Sequence, residues 1–177
     1  EILIGGKNPA DTEAREKIGF MPEAPYFYER LSGLEFLKFC GKLFKKHKHE
    51  NEYLEIMKDL GIYDARDKSI GAYSKGMKQR LGFAQAMVND PEYIFLDEPL
   101  DGLDPLGRRE IKKTILDLKK RGKTIFFNSH ILFDTEEICD EIGIIHKGEL
   151  LYSGGVKEFC AGKPLEERFV EMIENQK

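Results

Sequence analysis

Cysteine is scarce in this chain of 177 residues: Cys40, Cys139 and Cys160 are widely spaced and odd in number. That excludes a disulfide framework and a cysteine-built metal site, and it fits reduced, mostly buried thiols of a cytoplasmic protein. Long apolar runs are missing as well. No stretch reaches the roughly 18 residues that a membrane-spanning helix needs, and no secretory leader pattern is present. A surplus of positive charge is also missing. With a net charge of −4 the chain lacks the basic field that nucleic-acid binding leans on, so no nucleic-acid partner is expected. There is no internal repeat and no low-complexity segment. At 41% hydrophobic and 34% charged residues, what remains is an ordinary globular chain, long enough for one sizeable core or a core with a small subdomain.

One further absence bears on phosphate chemistry. No Gly-x-x-x-x-Gly-Lys-Ser/Thr loop occurs in the sequence. Gly122-Lys123-Thr124 imitates the end of one, but Asp117 stands where the first glycine belongs. The local order is also wrong: a helix precedes and a strand follows, whereas a phosphate cradle needs strand, loop and then helix. Gly122 reads as a helix C-terminal glycine instead. Gly6-Lys7-Asn8 carries asparagine where a magnesium-binding hydroxyl belongs. The chain begins at Glu1, in the middle of a pattern.

What is present is organised around Tyr93-Ile94-Phe95-Leu96-Asp97-Glu98-Pro99. Four apolar residues run into two adjacent carboxylates, and a proline stops the strand. Such a run fits a strand buried on both faces of a parallel sheet. Asp97 and Glu98 then stand at its carboxyl end, the edge where open α/β sheets bind ligands. Two carboxylates there call for a metal ion or a hydrogen-bond network. The plain alternative is a strand end with solvated acids, or Asp97 capping the next helix.

The flanking residues narrow the choice. Upstream lies Tyr73-Ser74-Lys75-Gly76-Met77-Lys78-Gln79-Arg80, and just downstream Leu100-Asp101-Gly102-Leu103-Asp104-Pro105. A second apolar strand, Thr124 to Phe127, ends in Asn128-Ser129-His130. This ordered set resembles the ATP-binding-cassette (ABC) family of nucleotide-binding domains, from about Lys17 to about Gly154. In that family the pieces are the signature loop, the Walker B strand, the D-loop and the switch histidine. The signature departs from the usual Leu-Ser-Gly-Gly-Gln: Tyr73, Lys75 and Met77 replace the Leu, the first Gly and the Gln.

The resemblance implies an α/β fold: a mostly parallel sheet flanked by helices, with a helical subdomain and without the N-terminal strands and phosphate loop. Its segments would be a core remnant with the Q-loop at 1–30, a helical subdomain with the signature loop at 31–88, core again at 89–155, and C-terminal helices at 156–177. It implies ATP and Mg2+ as cofactors. Asp97 would hold magnesium through water, and Glu98 would polarise the attacking water or take its proton. Ser74 and Gly76 would bind the γ-phosphate held by the opposite subunit. Asp104 would cross the dimer interface, and His130 would reach the γ-phosphate. Glu23 stands where the family usually has glutamine, touching the magnesium and the attacking water. A glutamate keeps the reach but loses the amide donor. The plain alternatives are a loop acid after a strand for Glu23, a capped helix for Ser74 and a structural histidine for His130.

The implied partners are a transmembrane permease and a second nucleotide-binding domain, at the cytoplasmic face of the membrane. The stretch from Ile18 to Glu23 resembles ATPase subunits of export-type permeases. The whole protein would then hydrolyse ATP to drive export, while this chain alone would be inactive for want of the phosphate loop. Two other classes stay open. One is a soluble ABC-type ATPase acting on ribosomes or DNA, which would co-purify with nucleic acid rather than a membrane protein. Its usual long coiled-coil insertion is absent from the roughly fifty residues between Glu23 and Ser74. The other is a non-catalytic remnant.

The remaining expectations are local. Residues 1–6 read as a strand and turn, and Ile18 to Met21 as a short strand closed by Pro22. Tyr26, Phe27 and Tyr28 either line a groove for a coupling helix of the permease or pack under the next helix. That helix starts at Ser32 or Gly33 and carries Phe36, Leu37, Cys40, Leu43 and Phe44 on one face. Lys42, Lys45, His47 and their neighbours form a basic run at its end, read as solvated or as a contact to the membrane's inner leaflet. A second helix carries Tyr53, Leu54, Met57 and Leu60 and ends at Gly61. Ile111, Ile115 and Leu118 mark a later helix. The strands from Ile142 and Leu150 form a hairpin, and helices follow near 155–161 and 165–175.

Overall fold

The computed structural model describes residues 2–44 and 48–174. Glu1 of the expected first strand, Lys45, Lys46 and His47 of the basic run, and Asn175, to which the last helix was expected to run, lie outside the described residues. The packing divides the chain into two compact units, Glu1–Asn128 and Ser129–Lys177.

The first unit holds a three-stranded parallel sheet. Its elements in order are α1 (Thr12–Arg15), β1 (Ile18–Met21), α2 (Gly33–Leu43), α3 (Glu50–Asp59), α4 (Lys75–Ala86), β2 (Tyr93–Asp97), α5 (Pro105–Lys120) and β3 (Thr124–Asn128), with short 3-10 turns at Tyr63–Ala65 and Ile70–Ala72. The strands lie in the order β1-β2-β3, with Met21 beside Leu96 and Leu96 beside Phe127. Because side chains alternate along a strand, Met21, Ile94 and Leu96 share one face, and all three are buried. α4 packs on β1 and β2, and α5 packs on β3. α2 and α3 pack against α4. Leu37, Met57, Leu60, Leu81 and Phe83 are buried in this helical layer.

The opposite face is different. Phe20, Phe95 and Phe126 stand in one register row across the sheet. Phe95 is half-buried, and Phe20 and Phe126 are exposed. The expectation that the carboxylate strand is buried on both faces therefore holds for Ile94 and Leu96 and not for Tyr93 and Phe95. No strand forms at Ile2 or Leu3; instead an Ile4–Lys7 bridge closes a turn made by Gly5 and Gly6, both at positive φ.

Local chemistry sets the helix ends. Ser32 caps α2 by a reciprocal pair: its hydroxyl accepts from the Glu35 N–H, and its own N–H donates to the Glu35 carboxylate at 2.8 Å. α2 stops at Leu43, so Leu43 and Phe44, expected on the buried face, are exposed. Asp104 caps α5, and Gly122 follows its end at φ 80°, the left-handed stop read from the sequence. Burial pushes the Cys40 thiol up to about 11, so it stays protonated and unreactive at neutral pH.

Asn89 fixes α4 to the first strand. It is buried, and its amide donates to the carbonyls of Glu16 and Ile18, each at 3.0 Å. Replacing it by alanine leaves those two acceptors without that donor. Asn89→Ala is expected to cost about 2 kcal/mol in a urea melt; a loss below about 0.5 kcal/mol would show that water replaces the amide.

The second unit is an antiparallel hairpin with three helices: α6 (Leu132–Ile138), β4 (Glu141–His146), β5 (Glu149–Gly155), α7 (Val156–Cys160) and α8 (Leu165–Glu174). Lys147 and Gly148 make its two-residue turn, both at positive φ as a tight hairpin with the sheet's own twist requires. Ile144, Val156, Phe159, Cys160 and Leu165 form its core. Glu136 anchors α8 by accepting from the Leu165 N–H at 2.8 Å.

Candidate active site

The site is built on the carboxyl edge of the parallel sheet. β2 ends at Asp97, and the pairing of Asp97 with Asn128 puts the ends of β2 and β3 side by side. The Asn128 amide donates to Asp97 Oδ1 at 2.7 Å, which orients the carboxylate. Glu98 follows with φ 48°, a left-handed backbone that residues other than glycine rarely adopt. Its N–H donates to the Asn128 carbonyl at 3.2 Å. Its own carbonyl accepts from the Asp101 N–H at 3.1 Å and from the Gln79 side chain at 2.8 Å. Both carboxylates are half-buried. Met21 pairs with Leu96, so the chain also leaves β1 at this edge, through Pro22 and Glu23. Glu23 is exposed.

A second wall comes from the start of α4. Ser74 is its N-cap, in extended geometry, and its hydroxyl accepts from the Met77 N–H at 3.2 Å. Gly76 lies in the first turn, where an added Cβ would come 3.4 Å from Leu103 and 3.7 Å from the Gly102 carbonyl oxygen. The Lys75 ammonium pairs with Asp101 at 2.8 Å, and its stem covers Gly102. The helix start and the loop after β2 are therefore packed on each other. Asp104 uses its carboxylate to accept from the Gly107 N–H at 2.6 Å as the cap of α5. His130 is exposed and lies two residues beyond β3, in the second unit.

The aromatic loop after Glu23 divides into buried and exposed side chains. Phe27 is buried edge-to-face on Phe36 of α2, with ring centroids 5.3 Å apart. Tyr26 is 86% exposed, and Tyr28 stands against Phe39 at 5.6 Å. With Pro25, Glu29, Arg30 and Lys78 they line a shallow groove. The Lys78 ammonium bonds Glu29 at 2.8 Å and holds its carboxyl below the usual range.

The ABC transporter family model matches residues 1–101. The chain belongs to the ABC transporter family. It is 49% identical over 157 residues to an uncharacterised ABC transporter ATP-binding protein of Synechocystis, covering 86% of this chain and 44% of that protein. It is 39% identical over 153 residues to a fluoroquinolones export ATP-binding protein of Mycobacterium tuberculosis, covering 85% of this chain and 50% of that one. A solved ATP-binding subunit of an ABC transporter superposes with a TM-score of 0.83 at 27% identity, covering 96% of this chain and 74% of that structure. The chain thus spans about half the length of the curated relatives it matches. The ABC fold accounts for the parallel sheet with its helical layer.

The structure brings the Asp97–Glu98 pair, the start of α4 and the turn after β2 into one cluster within the first unit. Three participants had no role assigned from the sequence. Asn128 was part of the switch-histidine stretch, yet it is the orienting partner of Asp97, visible only once the two strands are in register. Gln79 and Lys75 belong to the stretch that resembles the signature, and their spacing of four along a helix is the available signal that both face one neighbour. Among the described residues no group of three or more His, Cys, Asp or Glu converges as a metal cage. No described helix is long and apolar enough to cross a membrane.

Proposed function

We propose that this chain is part of the ATP-binding and ATP-hydrolysing subunit of an ABC transporter, working with Mg2+, a second nucleotide-binding domain and a transmembrane permease at the cytoplasmic face of the membrane. The observation that carries this reading is the fixed pair Asp97–Glu98 at the sheet's carboxyl edge, packed beside the N-capped start of α4. Magnesium takes one or two protein carboxylates and completes its shell with water and phosphate, so this edge suits it without a protein cage. Asp97 and Glu23 would hold the ion, which when bound neutralises charge on the transferring phosphoryl group. Glu98 would accept the proton of the attacking water. Ser74 and the amides near Gly76 would offer hydrogen bonds to a phosphate from the partner domain, Asp104 would meet that domain, and His130 would contact the γ-phosphate. The fluoroquinolones export relative supports the export direction.

The exposed Tyr26 and Tyr28 beside the Q-loop supply the permease contact in this reading. Two exposed tyrosines on a shallow groove suit a short helix with an apolar anchor. The test is affinity purification of the protein as its gene encodes it, from detergent-solubilised membranes. Recovery of a polytopic membrane protein is expected, together with MgATP hydrolysis. Tyr26→Asp should lower that recovery by about tenfold or more. Recovery of ribosomes or DNA in place of a membrane protein would overturn the reading.

A further inference from the structure

Lys75 and Gln79 lie four residues apart and so on one face of α4. Both reach the turn that follows β2. Gln79 is 6% exposed, and its Nε2 donates to the Glu98 carbonyl oxygen at 2.8 Å. Lys75 Nζ meets the Asp101 carboxylate at 2.8 Å. Between these two contacts the Asp101 N–H donates to the same Glu98 carbonyl. From the other side, β3 holds the Glu98 N–H through the Asn128 carbonyl. A buried amide must find a partner, and a leucine would fill the volume at lower cost if packing were all that mattered here. The amide's partner is the backbone of a residue at φ 48°, a conformation that persists only when its surroundings over-determine it.

We propose that Gln79 is a positioning residue for Glu98. It holds the Glu98 carbonyl, and with it the left-handed backbone that sets where the carboxylate points; Lys75 is a second, weaker arm of the same clamp. The inference rests on the reading of Glu98 as the base of ATP hydrolysis. Through the clamp, a shift of the first turns of α4 reaches Glu98 by way of two side chains. The arms differ in strength. Gln79 works in a buried site, whereas the Lys75–Asp101 pair is exposed, at 73% and 45% of the side chains, and is screened by salt.

The experiment uses the protein as its gene encodes it, comparing Gln79→Met with the unsubstituted form. Methionine keeps the volume and removes the donor. Expected is a fall in kcat of about tenfold with KM for MgATP changed less than about twofold. Amide exchange at Asp101 should speed up by about tenfold, while the Leu81 and Phe83 amides of α4 keep their protection. Gln79→Asn, one methylene too short to reach, should behave the same and serves if Gln79→Met does not fold. Lys75→Met should lower kcat about twofold at low salt and not at about 0.5 M salt. An unchanged kcat in a folded Gln79 variant, or a loss of kcat that comes with exchange throughout α4, would overturn the proposal. Absence of hydrolysis by the unsubstituted protein would instead defeat the functional reading. The clamp would then stand if Gln79→Met speeds exchange at Asp101 and fall if it does not.

Discussion

Glu98→Gln is expected to lower kcat for ATP hydrolysis by about a hundredfold or more, with the MgATP affinity little changed. Glutamine has the shape of glutamate but is uncharged, carries an amide donor in place of one carboxylate oxygen and cannot take a proton at neutral pH. Three contacts that place residue 98 are made by its backbone: its N–H to Asn128, its carbonyl to Gln79 and Asp101. None of these three depends on the carboxylate, so the substitution leaves them available. The variant therefore removes proton acceptance while keeping these backbone contacts. Single-turnover hydrolysis separates chemistry from product release. Nucleotide binding, followed by the fluorescence of a labelled analogue, shows whether the site survives. The proposed function, with ATP held between two nucleotide-binding domains, implies that ATP closes the two domains and hydrolysis reopens them. A blocked chemical step should then leave an ATP-bound dimer that gel filtration detects. Hydrolysis at an undiminished rate would remove Glu98 from the base role and leave His130 as the residue to substitute next.

Much of the local fold is legible in the sequence. An apolar run that ends in two acids and a proline fits a strand arriving at a sheet edge, and β2 ends at Asp97. Ser74 and Gly122 announced a helix start and a helix stop through chemistry that acts within a few residues. Each was found at its terminus. The reading ran out where the deciding contact joins residues far apart in the chain. The Asn128–Asp97 bond needs the parallel register of β2 and β3. The Gln79–Glu98 bond needs the distance between a helix and a turn 19 positions later. The left-handed backbone at Glu98 has no local signal, because glutamate is not a residue that turns call for. Aromatic pattern was ambiguous for a related reason. Tyr26, Phe27 and Tyr28 are chemically alike, and only the place of α2 decides that Phe27 is buried while Tyr26 is exposed.

The largest expected effect on stability lies at Gly19. This residue sits in β1 where the strand meets the end of α4. A Cβ built there would overlap the Ala86 carbonyl oxygen, lie 2.8 Å from Pro91 Cγ and approach the Ala86 carbonyl carbon to 3.1 Å. The obstructing group is backbone, so it cannot turn aside as a flexible side chain would. Relief requires β1 to move off α4. That movement is opposed by the Asn89 bonds to Glu16 and Ile18 and by the N–H groups of Glu92 and Tyr93, which both donate to the Lys17 carbonyl. Gly19→Val is accordingly expected to cost about 3 kcal/mol or more, at the upper end for overpacking, and to lower the Tm of the first unit by about 6–12 °C. Gly71→Ala is the matched comparison: its Cβ would meet nothing closer than 3.4 Å, so it should stay within about 0.5 kcal/mol of the parent. Equal melting of the two variants would mean that β1 can slide away from α4 freely. Gly19 also lies four residues before Glu23, on the strand that delivers Glu23 to the sheet edge. On the proposed function, a milder Gly19→Ala protein that still folds should show its defect in recovery of the proposed permease, through a displaced Glu23 and Tyr26, before it shows one in nucleotide binding.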